Sequence, residues 1–463
     1  MKFYASIWIK MIAFGLGSVA MLMAPHAARA QSDFTSPYSI YGPGTVIHRQ
    51  SVLQAGFGGA GVALIDPHNL NMVNPAVSAY ALDPVFEVAG MGSFSTFRTD
   101  AESFDNKRFM FNNIGLNLPV IRNKWALNIG LTALTDVGYD VNVTRDGGEN
   151  IGLYNTEYSG NGGLNQFYVG SSYKLLNRAD SIGNVTALAV GANYNFDFGV
   201  IESTRRIHYV DDLNSMGLTA YEKDLLKRNN AEIGVHFQTP LIKRTETNPR
   251  FLKIMGGFST SLGLNMKAER DLHVYTIKYV NQDAISPADT LRSLAAVKGD
   301  IQMPVRYSVG FALDYFSVQR RRLRFAVDYT TEQWSNYSDS FGESTGPVFE
   351  DARTIAGGVE YTPEVGSREF FKALRYRLGI NHQETNLELE GHRIKDVGMS
   401  FGLTLPINLK RALTQSSLNI AGRYGRYGTT ADGLIEEEYF HVYVGFSFTP
   451  HFRNRWFVQP KYD

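Results

Sequence analysis

Apolar and polar residues alternate strictly along much of this chain. Val305, Tyr307, Val309, Phe311, Leu313 and Tyr315 are interleaved with Arg306, Ser308, Gly310, Ala312 and Asp314. Leu323, Phe325, Val327 and Tyr329 alternate with Arg324, Ala326, Asp328 and Thr330, and the same period returns around residue 401 and from Phe440 to Phe448. Successive side chains of a strand face opposite ways, so each run presents one apolar face and one small or charged face. Many runs continue well beyond the roughly 5–6 residues usual in soluble sheets. They match the about 9–11 residues that a tilted strand needs to cross a bilayer. The polar face carries Arg306, Asp314, Arg324, Asp328, Arg375, Arg377 and Arg423. A dry sandwich core would hold such charges only at great cost; a wet lumen with paired charges accommodates them.

Runs of this kind predict strands near 85–97, 109–120, 124–143, 163–176, 185–200, 228–242, 250–269, 301–316, 321–334, 350–362, 371–388, 392–406, 415–426 and 437–449. That is about fourteen, an even number as single-chain transmembrane barrels prefer. Connections one, three, five, seven, nine and thirteen read as long loops of about 10–31 residues, and the even-numbered ones as turns of about 3–8, the asymmetry of outer loops and periplasmic turns. Connection eleven, Leu389 to Gly391, reads as a tight hairpin. The fifth loop, with Met216, Leu218, Tyr221, Leu225 and Leu226, has an amphipathic helical spacing. Trp125 and Trp334, near strand ends, read as interface-girdle aromatics. The predicted fold class is therefore all-β: a transmembrane antiparallel β-barrel.

The N-terminus sets the compartment. Lys2 and Lys10 precede an acid-free apolar stretch from Met11 to Ala24, and Ala28-Arg29-Ala30 fits a cleavage site before Gln31. Residues 1–30 read as a signal peptide, and its loss leaves a mature formal charge of −3. The outer membrane is the expected destination. Residues 31–84 lack the strand rhythm and are punctuated by Gly and Pro, notably in Ala55-Gly56-Phe57-Gly58-Gly59-Ala60-Gly61-Val62-Ala63 and Asp66-Pro67-His68-Asn69. This glycine cluster lacks the Gly-Lys-Ser/Thr ending of a phosphate loop. It reads as a segment that needs φ > 0 and close backbone packing inside a barrel wall. The organisation expected is a signal peptide (1–30), an N-terminal plug or hatch (31–84), a barrel (85–449) and a short periplasmic tail (450–463).

Composition narrows the functions. With 45 basic and 45 acidic residues there is no excess charge for nucleic acid, and with no cysteine there is no disulfide framework, thiol chemistry or lipoprotein anchor. The ten histidines form no metal-binding spacing. Asp314, Asp328 and His441 face inward on late strands, where charged lumen pairs explain them. No enzyme, cofactor or metal is expected.

Gly58-Gly59-Ala60-Gly61-Val62-Ala63 followed by Asn74-Pro75-Ala76 resembles the hatch of the FadL-type long-chain fatty acid transporters, in which an Asn-Pro-Ala motif belongs to a plug inside a fourteen-stranded barrel. Tyr307-Ser308-Val309-Gly310, Gly358-Val359-Glu360-Tyr361-Thr362-Pro363, Tyr376-Arg377-Leu378-Gly379-Ile380-Asn381, Ser400-Phe401-Gly402-Leu403 and Arg455-Trp456-Phe457 extend the resemblance over the mature chain. It departs at Ile65-Asp66-Pro67-His68-Asn69, where the family has a small polar run, and at the tail beyond Phe448. The resemblance implies that Gly58, Gly59, Gly61, Asn74, Pro75 and Ala76 form the hatch and its ligand path. It further implies that a hydrophobic small molecule leaves sideways through the wall. The family's wall kink belongs on the third strand, 124–143, yet Thr135, Val137, Tyr139 and Val141 alternate with Asp136 and Gly138 and show no bulge. Transport of fatty-acid-like molecules is the leading expectation. The alternative is a non-transporting partner or scaffold in a larger outer-membrane secretion or assembly machine, as for the FadL-like barrel of the type IX secretion system. Expected partners are outer-membrane lipid and lipopolysaccharide, a hydrophobic ligand and a second outer-membrane protein.

Overall fold

The computed structural model describes residues 34–100, 102–148, 152–209, 215–279, 285–341, 348–407 and 416–450. Residues 1–33, which include the expected signal peptide, Arg455-Trp456-Phe457 and the rest of the chain after Pro450 lie outside them. Fourteen strands form one closed antiparallel sheet: β1 (Val85–Arg98), β2 (Ser103–Ile121), β3 (Trp125–Asp146), β4 (Leu153–Ala179), β5 (Val185–Tyr209), β6 (Gly217–Ile242), β7 (Phe251–Ser261, continued by Met266–Tyr279), β8 (Ile285–Gln302, continued by Arg306–Phe316), β9 (Arg322–Glu332), β10 (Ala352–Thr362), β11 (Arg375–Leu389), β12 (His392–Pro406), β13 (Ser417–Gly428) and β14 (Glu436–Phe448). Strand β14 pairs with β1 from Glu436↔Arg98 to Phe448↔Phe86 and closes the barrel, so no edge is left at the join. Every predicted strand position is occupied by one of these.

Apolar alternation points outward. Leu378, Ile380 and Met399 are each more than 60% exposed, a continuous apolar surface that suits lipid rather than water. Polar members of the same strands turn inward.

Strands β4, β5 and β6 contain 27, 25 and 26 residues, far beyond what a bilayer requires. They run together as one ladder from Tyr154↔Tyr209 and Ile207↔Leu218 down to the short turns, and the outer part of β7 continues it along β6. Loops three, five and seven of the sequence reading are thus mostly sheet, and the helical spacing at Met216–Leu226 belongs to strand β6. Beyond the membrane both faces of a sheet meet water, so nothing selects period-two apolarity there. Trp334 is also not in the girdle. It is 2% exposed and packs with Tyr337 and Phe349 beneath the outer mouth, beside Leu164, Leu226, Met266 and Ile301.

The wall is interrupted at one seam. Strands β2 and β3 pair from Ile121↔Trp125 only as far as Asn113↔Thr132. Above that point β2 stays with β1, while β3 follows β4 through a register shift between Ala133 and Thr135. The bulge that the alternation concealed is therefore present on the third strand, because the Leu134 insertion sits between two stretches that each keep period two. Residues 34–47 cover the exposed edge of β3. Thr45 and Val46 pair with Asp136 and Thr135, Ile47 N–H donates to Leu134 O at 2.9 Å, and Thr35 and Ser36 N–H donate to Gly138 O at 2.6 and 3.1 Å.

Candidate functional site

The remainder of the N-terminal segment, residues 48–84, lies against the inward face of the wall. One helical turn, Val52–Ala55, carries a capping box in which Ser51 Oγ accepts from Gln54 N–H and Gln54 Oε1 accepts from Ser51 N–H. Phe57 then enters an apolar cluster with Leu53, Ala60, Ala63, Leu64, Met255, Ala312, Ala326 and Ala356. The wall presents alanine here because a larger side chain would push the segment away. At Gly379 the approach is closer still, since an added Cβ would stand 2.2 Å from the nitrogen of Gly58. Gly58 itself has φ +72° and Gly59 φ +100°, and Gly61 is held against the Gln54 side chain, which a Cβ would meet at 2.2 Å.

Three buried charge clusters tie this segment to the wall. In the first, Glu360 accepts from Arg324 Nε and Arg377 Nε, each at 2.8 Å. Arg324 also donates to Ile65 O at 3.0 Å and to Asp66 Oδ2 at 3.3 Å, and Arg375 pairs with the same carboxylate. Burial alone would raise the Asp66 carboxyl, but the guanidinium groups of Arg375 and Arg324 hold it well below the usual carboxylate range. In the second, Arg49 donates to Met72 O at 2.8 Å and Gln166 Oε1 at 2.6 Å and pairs with Glu232, which also accepts from Arg306 at 3.0 Å. In the third, Asp328 accepts from the N–H groups of Gly61 (2.5 Å) and Val62 (2.8 Å). Asp314 stands apart from the segment, taking both 2.8 Å bonds from Arg322 and a 3.5 Å ion pair from Lys253.

These placements revise the wet-lumen reading. Arg324 and Asp314 are 1% exposed and Arg377 is 2%; the charges are compensated by each other and by the segment, with little help from water. Sequence reasoning missed Asp66, Glu360, Arg49 and Glu232. Glu360 shares the inward parity of Gly358, and Asp66 sat in the stretch that departs from the FadL pattern, but neither could be paired without the fold.

Asn74 is fully buried. Its Oδ1 accepts from Ala76 N–H at 3.0 Å, capping the 3-10 turn Pro75–Tyr80, while Nδ2 donates to Val62 O at 2.8 Å and to Val235 O on β6 at 3.1 Å. Pro75 and Ala76 lie against Gly191 of β5 and Gly234 of β6. The Asn-Pro-Ala run thus fastens the segment to strands β5 and β6, whereas the wall seam is lined by residues 34–47.

Among the described residues, two chambers of about 140 Å³ each lie inside. One lies among His48, Arg49, Arg228, Arg306, Asp328 and Glu332, the other among Arg108, Asp136, Asp396, Arg423, Glu437 and His441, with Met91 and Met110 toward the seam. On the outer side of the seam a shallow notch is lined by Met110, Phe111, Ala133, Phe198 and Val200. Among the described residues no group of His, Asp and Glu is placed to hold a metal ion.

The BamG family model matches residues 9–463. Among solved structures, the Ralstonia pickettii toluene transporter TbuX matches with a TM-score of 0.52 at 13% identity, covering 89% of this chain and 98% of its own. A Pseudomonas aeruginosa FadL homologue matches with 0.51 at 12% identity, covering 88% and 99%. The Pseudomonas putida toluene transporter TodX gives 0.50 at 12% identity, also over 88% and 99%. At such identities the likeness is one of fold. No curated protein matches the sequence.

Proposed function

The chain belongs to the BamG family and has the fold of a divergent FadL-type barrel; from that premise we propose that it is a sealed barrel serving as a partner subunit of a larger outer-membrane secretion or assembly machine. The observation that carries this reading is the buried charge lattice between the inner segment and the wall. Moving the segment takes Asp66 from Arg324 and Arg375, Arg49 from Glu232, and the N–H groups of Gly61 and Val62 from Asp328, and each broken buried pair costs about 3–5 kcal/mol. The inner chambers mix apolar side chains such as Val46, Ile47, Leu134, Met303 and Met91 with guanidinium, carboxylate and imidazole groups, and at about 140 Å³ each they are small. What remains available to a partner is the outside, above all the sheet of β4–β7 that extends past the membrane belt.

A second reading, movement of a hydrophobic small molecule, is favoured by the seam between β2 and β3, whose apolar notch opens toward lipid. Two of the similar structures are named toluene transporters. In this reading the covering residues 34–47 swing aside, which breaks their backbone bonds to β3, the two bonds of the Tyr38 hydroxyl to Ile435 and the packing of Phe34 on Phe97 and Phe104, while the lattice stays intact.

Native mass spectrometry of protein extracted gently from its own outer membrane separates the two. A stoichiometric protein partner on an empty barrel is expected. A bound hydrophobic small molecule with no protein partner, lost when residues 34–47 are tethered to β3, refutes the subunit reading.

A further inference from the structure

At the short-turn end, between the inner segment and strands β5–β7, lies a cavity of about 230 Å³ lined on one side by Ile65, Pro67 and Leu82 and on the other by Arg244, Phe251 and Lys253. No described residue lining it is acidic. Behind its Tyr80 and Asn123 walls stands Lys174, 2% exposed, whose ammonium lies 3.9 Å from the centre of the Tyr80 ring and donates to Asn123 Oδ1. Lys253 has one carboxylate, Asp314 at 3.5 Å, which is already occupied by both donors of Arg322. Among the described residues neither Lys174 nor Arg244 has a carboxylate partner, and Arg244 Nε is buried with no hydrogen-bond partner.

The arrangement is built rather than loose. Asn184 clamps the backbone of Arg244, accepting from its N–H at 2.7 Å and donating to its carbonyl at 2.9 Å. Asn184 is itself fixed by Asp180 through bonds of 2.8 and 2.7 Å. The guanidinium rests 5.1 Å from the centre of the Phe251 ring, which stacks on Phe316, and Lys253 Nζ lies 5.2 Å from the same ring. Like charges gathered in a partly desolvated pocket repel one another and raise the free energy of the folded state unless an anion joins them. The surplus over Asp314 and the planar, pre-positioned guanidinium suit a multi-oxygen anion.

We propose that this cavity is a phosphate-group site open to the periplasmic end of the barrel, with Arg244 and Lys253 contacting the anion and Lys174 adding charge from behind. It is independent of whether the barrel transports or scaffolds. The phosphate is supplied either free in the periplasm or on a phospholipid headgroup, and both present the same oxygens.

Purified full-length protein in maltoside micelles is titrated with inorganic phosphate, and separately with dihexanoyl-phosphatidylglycerol, by calorimetry against a chloride control. Saturable binding of phosphate alone identifies the free anion, and tighter binding of the lipid identifies the headgroup. In either case Arg244→Gln and Lys174→Met each weaken it at least tenfold. Arg244 lies in a turn, so its variant folds even if replacement of the buried lysine does not. Absence of saturable binding for both probes, or affinity unchanged in Arg244→Gln, overturns the site.

Discussion

Replacing Glu360 with Gln tests whether the charge lattice holds the inner segment. The wild-type carboxylate faces Arg324 and Arg377 at 2.8 Å each, with all three side chains 1% exposed or less. The amide keeps the shape but removes the negative charge, leaving Arg324, Arg375 and Arg377 to share Asp66. Stranding buried cations in this way costs about 3–5 kcal/mol. Arg324 also holds Ile65 O and Asp66, so the loss falls on the attachment of residues 56–66 before it reaches the barrel ladder. Local opening of that stretch then becomes about 10²- to 4 × 10³-fold more populated, since 1.4 kcal/mol is a factor of ten. Hydrogen exchange read by mass spectrometry on peptides spanning 56–66 measures it directly, with the gel shift of the folded barrel on heating as the check that the wall survives. Adding Arg377→Gln restores part of the protection by removing one of the unpaired cations. An exposed control, the Lys372–Glu369 pair at 2.8 Å, changes stability by no more than about 0.5 kcal/mol when broken. Unchanged exchange across Ile65 and Asp66, the residues Arg324 holds, in a folded Glu360→Gln barrel would falsify the lattice as the anchor.

Asn74→Ala removes three buried hydrogen bonds and is expected to cost about 2–4 kcal/mol, read as a lower temperature for loss of the folded gel band. Asn74→Asp is expected to be less stable than wild type by a similar margin, because a carboxylate then faces the carbonyls of Val62 and Val235; equal stability of Asp and Asn refutes the assigned bonds. Gly379→Val drives a side chain into the backbone of Phe57 and Gly58, so exchange of residues 56–60 rises sharply, while Gly391→Ala, in an open turn with φ +75°, costs only the roughly 1 kcal/mol of a left-handed backbone. For Asp66 the folded value lies below its ordinary 3.8, so its contribution is complete above that value and is lost only as pH falls through the depressed one. Protection of Ile65 and Asp66 is therefore expected to be flat from neutral pH to about pH 5 and to drop only below the ordinary carboxylate range; loss there already at pH 5–6 contradicts the pairing with Arg324 and Arg375.

The sequence by itself determined the strand count, the face each strand turns to lipid and the irregular character of residues 31–84. Period-two burial is a local property: each strand from Val85 to Phe448 must satisfy lipid on one side wherever it crosses the membrane, and that demand is written residue by residue. Where the demand lapses the sequence falls silent, which is why the outer halves of β4–β6 read as loops and Trp334 read as a girdle residue. The bulge at Leu134 was hidden for a related reason, since an insertion that shifts register leaves the alternation on each side intact. Only the tertiary structure decided which charge meets which. Arg324, Glu360 and Asp66 come from separate stretches of the chain, and their pairing depends on how deeply the segment sits and how the wall is staggered. The same holds for Asn74, whose motif was visible but whose anchorage to Val235 across 161 residues was not, and for the cluster of Lys174, Arg244 and Lys253, three unremarkable cations until closure of the barrel brings them to one cavity.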